Sequence, residues 1–335
     1  MKAIIFNGNE VSLKDVPNPQ VDKNQALIHV HSIGVCGTDI AIVNGKLKTP
    51  LPIILGHEFS GEIIKTGSNN NQEHWIGKRV TSEINTNICG SCFYCKRGFS
   101  THCIKRKALG IHTNGVMAES ISLDINLLHE IPDSISYEEA TFIEPLAAAY
   151  QTFEMMPLDS YDTTIVIFGM GKLGLLLLQV AKQKGLKIIA VDGSEHKLAM
   201  AKNLGAFLTI NRHEETNITE KIKTEWDYGA DIVVDTTGNP QVLDVLVSSC
   251  RSRGKIHIKS THGVPTLLNL TEMVQREITL YTSRCGNFNQ AIQGLKTQKI
   301  QVKNLISKIL PLERATEAFD HSKIDKNNIR TLIEI

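Results

Sequence analysis

From residue 1 to about residue 85, apolar positions come in short runs separated by turn residues. KAIIF (2–6), ALIHVHSIGV (26–35), FSGEIIKTG (59–67) and GKRVTS (77–82) each read as a strand. The second alternates apolar and polar positions in part. The pattern predicts an irregular, barrel-like β region. Near residue 137 the period lengthens, and SYEEATFIEPLAAAYQTFEMM (136–156) predicts one helix. Ser136 is placed to cap it, and Glu138 and Glu139 stand in its first turn.

A regular alternation follows. TTIVIFG (163–169), KIIAVD (187–192), ADIVVDTTG (230–238) and GKIHIKS (254–260) are strand-like runs. Between them KLGLLLLQVAKQKG (172–185), SEHKLAMAKNLG (194–205) and PQVLDVLVSSC (240–250) are helix-like. Strand–helix alternation of this length predicts βαβ units and a parallel sheet, so the chain is α/β. A helix, FNQAIQGLKTQK (288–299), and a last strand, IRTLIEI (329–335), complete the pattern. No internal repeat or low-complexity segment interrupts it.

Composition narrows the function classes. A length of 335 residues suggests about two domains, and 41% hydrophobic with 21% charged residues is ordinary for a globular protein. A formal net charge of +1 gives no electrostatic reason for nucleic acid or an anionic membrane as partner. The apolar run at the N-terminus is too short for a signal peptide, and Leu173–Leu178 is far short of a membrane span. These features predict a cytoplasmic protein whose thiols stay reduced.

That expectation bears on CGSCFYCKRGFSTHC, where Cys89, Cys92, Cys95 and Cys103 follow the spacing C-x2-C-x2-C-x7-C. Thiolates three residues apart can close on one ion in a tight turn, and Gly90 and Gly98 give that turn freedom. Four sulfurs complete a tetrahedral zinc shell with no open position, so the site is read as structural. An iron–sulfur cluster prefers a shorter last gap and a proline after the final cysteine; here Ile104 follows.

IVIFGMGKLG ends a strand and opens a helix with Gly169, Gly171 and Gly174 spaced as G-x-G-x-x-G. Gly169 permits the tight turn, Gly171 lets a pyrophosphate approach, and Gly174 lets helix and strand pack closely. The first helical turn, with Lys172 and Leu173, then offers free N–H groups to the anion. Asp192 closes the next strand eighteen residues after Gly174, where a carboxylate can bind the ribose hydroxyls. A carboxylate there repels a 2′-phosphate, and no arginine follows it in VDGSEHKLAM, although Lys197 could reach the ribose. NAD is therefore preferred over NADP.

Three further fragments, GVCGTD, LGHEFSGE and TFIEPL, carry residues suited to a second metal. Cys36 offers a thiolate, His57 an imidazole, and Glu58 or Glu144 a carboxylate; three such ligands plus water make an open, catalytic zinc shell. HEFSG is not the HExxH of a zincin protease, since Gly61 stands where the second histidine would be.

The order of these pieces resembles the zinc-dependent medium-chain alcohol dehydrogenase family, over essentially the whole chain. GHE with EPL is more similar to its sorbitol and threonine dehydrogenase branch. The resemblance implies a GroES-like irregular β-barrel catalytic domain (1–150) with a structural-zinc lobe at about 85–108. It further implies a Rossmann NAD-binding domain (151–286) and a C-terminal return to the catalytic domain (287–335). It implies two zinc ions per chain, NAD, a small-molecule alcohol or aldehyde substrate, and a homo-oligomer, dimer or tetramer. It leaves open whether Glu58, Glu144 or a water-bridged carboxylate completes the catalytic shell. By the same resemblance Thr38 contacts the substrate oxygen, and Arg330 touches the cofactor pyrophosphate. Arg284 matches the family's return segment more loosely. Ala41 stands where the family often has a relay histidine. The implied reaction is reversible oxidation of a polyol or secondary alcohol with NAD. Rival readings are an aldehyde or semialdehyde reductase on the same residues, and a catalytically silent nucleotide-binding homologue.

Overall fold

The computed structural model describes residues 1–68, 72–261, 263–320, 325 and 327–335. They form two compact units, one of Met1–Glu144, Phe288–Thr297 and Gln301–Ile335, the other of Pro145–Asn287 with Gln298–Ile300. The expected boundary at residue 150 falls inside the helix Ile143–Met155; the division lies at Glu144 instead.

The first unit is built on a seven-stranded sheet. Its order is Leu128–Glu130, Arg79–Ser82, Glu58–Thr66, Gln25–Gly34, Thr331–Glu334 and Lys308–Pro311, with Ser120–Asp124 also paired to Gln25–Gly34. Gln25–Gly34 alternates half-buried and buried positions along most of its length, as an antiparallel strand with one covered face does. Its register brings Gly34 opposite both Glu58 and Leu332.

The second unit holds six parallel strands in the order Leu208–Asn211, Lys187–Asp192, Thr164–Phe168, Ala230–Asp235, Cys250–Ile258, Thr279–Thr282. Numbered along the chain this is 3-2-1-4-5-6, the doubly wound order of dinucleotide-binding folds. Its central strands read as continuous apolar runs because helices cover both faces. The two edge strands, LTIN and TLYT, were not legible as strands: each is four residues long and mostly unburied.

One expected element divides. The helix read over 136–156 is two, Tyr137–Ala140 and Ile143–Met155. The cap is as read: the Ser136 hydroxyl accepts from Glu139 N–H at 3.2 Å, and the Glu139 carboxylate accepts from Ser136 N–H at 3.0 Å. The break follows from Pro145. A continuous helix would need an N–H at residue 145 for the Thr141 carbonyl, and proline has none. Arg330 Nη2 donates to that carbonyl instead, at 2.8 Å.

Candidate metal centres and dinucleotide site

Cys36 caps the short helix Gly37–Val43, which leaves the end of strand Gln25–Gly34. His57 and Glu58 enter the neighbouring strand, and the pairing of Gly34 with Glu58 draws the two strand ends together. The thiol, an imidazole nitrogen and a carboxylate oxygen of Cys36, His57 and Glu58 all lie within 4.8 Å of one another. His57 and Glu58 are buried and Cys36 is half-buried.

Sequence reasoning missed Asp39, although it ends the quoted CGTD. It is fully buried and accepts from Cys36 N–H at 2.9 Å and Gly56 N–H at 3.2 Å. Its other neighbour is His57, whose Nδ1 lies 3.6 Å from Oδ1. Burial raises the Asp39 carboxyl above its ordinary value. Burial by itself disfavours a charged His57, yet Asp39, Cys36 and Glu58 outweigh it and lift the imidazole to about 10. The pocket thus brings a thiol, an imidazole and two carboxylates together, and its soft and borderline donors suit a zinc ion.

Glu58 is shared with a second partner. Its Oε2 accepts from Arg330 Nη2 at 2.7 Å, and both side chains are at most 1% exposed. The Arg330 guanidinium lies 4.1 Å over the Phe142 ring, and among the described residues its Nε and Nη1 are buried without a hydrogen-bond partner. Gly34 makes room for it: a Cβ there would meet Nη2 at 1.6 Å. Glu144, half-buried in the first turn of Ile143–Met155, does not join the Cys36–His57–Glu58 set. Thr38 and Ala41 are half-buried on the helix that Cys36 caps.

The four lobe cysteines converge as a second group. The sulfurs of Cys89 and Cys103 are 3.5 Å apart, as are those of Cys92 and Cys95, and Cys89 and Cys95 are 4.0 Å apart. None is a disulfide. Four thiolates about 2.3 Å from one zinc stand about 3.8 Å from each other, so the spacing fits a tetrahedral ion. The backbone N–H of Ser91 leads the groups that lower Cys89, to about 5, which favours its thiolate.

In the second unit Gly169, at φ 95°, turns the chain from strand into the helix Lys172–Gln183, which Gly171 caps. A Cβ on Gly174 would stand 1.9 Å from the Gly169 carbonyl, whereas nothing lies within 4 Å of one on Gly171. The loop is closed where helix meets strand and open where a phosphate would sit, and the first helical turn carries no acid. Asp192 ends its strand with both oxygens held: Oδ2 accepts from Met170 N–H at 2.6 Å, Oδ1 from Gly193 and Ser194 N–H at 2.8 and 2.9 Å. Lys197 is half-buried in the first turn of the next helix, Glu195–Leu204. Two residues that the sequence did not point to, Arg212 and His213, lie against Gly193.

Comparison with known proteins decides the family. Residues 22–133 match the alcohol dehydrogenase GroES-like domain and residues 173–298 the zinc-binding dehydrogenase domain. The chain belongs to the zinc-dependent medium-chain alcohol dehydrogenase family. The dehydrogenase is 34% identical to a D-arabitol-phosphate dehydrogenase of Enterococcus avium, over 97% of this chain and 94% of that protein. It is 33% identical to a sorbitol dehydrogenase of Bacillus subtilis, over 97% and 94% of the two chains. Alcohol dehydrogenase TADH from Thermus sp. ATN1 superposes with a TM-score of 0.89 at 26% identity, over 100% of this chain and 99% of that one. The dehydrogenase is thus an oxidoreductase that uses zinc and a nicotinamide cofactor, with the GroES-like and Rossmann architecture of its family. Among the described residues no helix is long and apolar enough to cross a membrane.

Proposed function

We propose that this dehydrogenase interconverts a polyol or secondary alcohol and its carbonyl compound, with two zinc ions per chain and NAD as the preferred cofactor. The observation that carries the reading is the convergence of Cys36, His57 and Glu58 within 4.8 Å of one another. Both relatives compared above are named for polyol-type substrates, which favours polyols in the panel to be tested.

Cys36 and His57 hold the catalytic zinc, with Glu58, Glu144 or a water-bridged carboxylate as the remaining contact. The buried Asp39 carboxylate lies 3.6 Å from Nδ1 of His57, a position from which it would orient the ring towards a metal. Zinc supplies Lewis acidity, which lowers the pKa of an alcohol it meets. Thr38, two residues after Cys36, would accept the substrate hydroxyl proton and pass it on towards solvent. Ala41 offers no imidazole to that path.

In the second unit Gly169, Gly171 and the N–H groups of Lys172, Leu173 and Gly174 bind the pyrophosphate. Asp192 and Lys197 meet the adenosine ribose. Nicotinamide supplies the hydride acceptor. Cys89, Cys92, Cys95 and Cys103 hold the structural zinc and take no part in chemistry. The family's homo-oligomers make a dimer or tetramer the expected assembly.

NADH absorbance on a panel of polyols, secondary alcohols, amino alcohols and semialdehydes tests the function. Turnover is expected on at least one polyol or secondary alcohol. Absence of turnover across the panel by protein holding two zinc ions would reject the reading in favour of a silent homologue.

A further inference from the structure

Asp192 is held from behind. All three hydrogen bonds to its carboxylate come from backbone N–H groups, those of Met170, Gly193 and Ser194. The strand beside it, Leu208–Asn211, runs parallel with Asn211 opposite Asp192. The chain leaving that strand therefore passes next to Asp192, and Arg212 N–H donates to the Asp192 carbonyl at 3.0 Å. The side chains of Arg212 and His213 turn over Gly193. A Cβ on Gly193 would stand 2.5 Å from His213 Nε2 and 2.9 Å from Arg212 Nε, so both side chains lie close over this glycine.

The neighbouring acids are otherwise engaged. Glu214 accepts from Asn211 Nδ2 at 3.1 Å, and Glu195 accepts from the same nitrogen. Among the described residues the Arg212 guanidinium makes no ion pair and no side-chain hydrogen bond, and it is exposed. In dinucleotide-binding folds the acid at this strand end meets the ribose 2′ oxygen, and an arginine nearby accommodates a 2′-phosphate.

We infer that Arg212, brought beside Asp192 by the adjacent strand, is a second determinant of cofactor choice, offering its guanidinium to a phosphate on the adenosine 2′ oxygen. Asp192 favours the free hydroxyl; Arg212 opposes it by giving the phosphate a charge-assisted, two-pronged donor. The dehydrogenase then binds NADPH as well as NADH, with the preference for NAD narrower than Asp192 alone would set. The inference rests on the dinucleotide-site reading above.

Binding of adenosine 2′,5′-bisphosphate and of 5′-AMP, measured by calorimetry on the full-length protein, separates the two residues' roles without turnover. Arg212→Ala should weaken the bisphosphate by about tenfold or more and leave 5′-AMP and NADH within about twofold. Arg212→Lys should retain part of the bisphosphate affinity. The bisphosphate should also lose more affinity than 5′-AMP as salt rises, since its extra charge is exposed. An equal loss for both nucleotides in Arg212→Ala, or an unchanged bisphosphate affinity, overturns the assignment. If neither 5′-AMP nor NADH binds the unaltered protein, the nucleotide-site reading itself falls and takes this inference with it.

Discussion

Arg330→Met removes the guanidinium paired with Oε2 of Glu58, and its cost can be worked from the contacts. Both side chains are at most 1% exposed and their contact is 2.7 Å, so no water takes over when the guanidinium goes. Breaking a buried ion pair by deleting one partner costs about 3–5 kcal/mol, because the remaining charge stays buried. The Thr141 carbonyl loses its donor as well, for about 1–3 kcal/mol more where it remains dry. Taking only the ion-pair figure, a unit of roughly 190 residues should melt about 6–20 °C lower. Gly34→Ala is an independent route to the same loss with no change of charge, since its methyl would lie 1.6 Å from Nη2 and evict the guanidinium. Glu58→Gln combined with Arg330→Met removes both charges and should recover at least half of the loss. Differential scanning calorimetry at pH 7 on metal-free protein reads all three. Melting of either single variant within about 2 °C of the parent would show that the pair holds nothing together.

Three other outcomes follow from the site. Elemental analysis of protein purified without added metal should approach two zinc per chain, and Cys92→Ser should bring it to about one; a value near one that Cys92→Ser leaves unchanged removes the four-cysteine site. Cys36→Ser should abolish turnover while sparing most thermal stability, and Cys103→Ser should lower the melting temperature first, because a closed zinc site contributes folding free energy; the opposite pattern means the two metals were assigned backwards. Thr38→Val should cost at least about a hundredfold in kcat, the usual worth of a positioned proton acceptor; near-full activity would discard the proton path and leave the metal and cofactor sites standing.

What could be read from the chain depended on how local each feature's physics is. Glycine spacing at 169, 171 and 174 reports sterics within one turn, and the lobe cysteines report ligand reach within fifteen residues, so both were legible. Cys36 and His57 are twenty-one positions apart and became a pair only through the order of the motifs around them. The Glu58–Arg330 contact had no sequence signal, since burial of a charge is decided by strands far apart in the chain. Arg212 was invisible for a related reason: a search along VDGSEHKLAM follows the chain, whereas the arginine comes from the parallel neighbour. The helix break at Thr141 was legible in principle from Pro145, but the run of apolar residues after it masked the missing N–H.

The pairing of Gly34 with Leu332 also sets an order of events during synthesis. About 300 residues separate the two, which at 5–20 residues per second is roughly 15–60 s on the ribosome. For that interval the end of strand Gln25–Gly34 that receives Leu332 has no partner on that side, and Glu58 has no Arg330. The second unit is encoded almost wholly within the gap, at Pro145–Asn287, with its own sheet and core. It can therefore be complete while the first unit still waits for its last strand. A nascent chain stalled before residue 330 would carry a finished nucleotide-binding unit beside an open sheet edge, the form in which this protein is most exposed to chaperones and to mispairing.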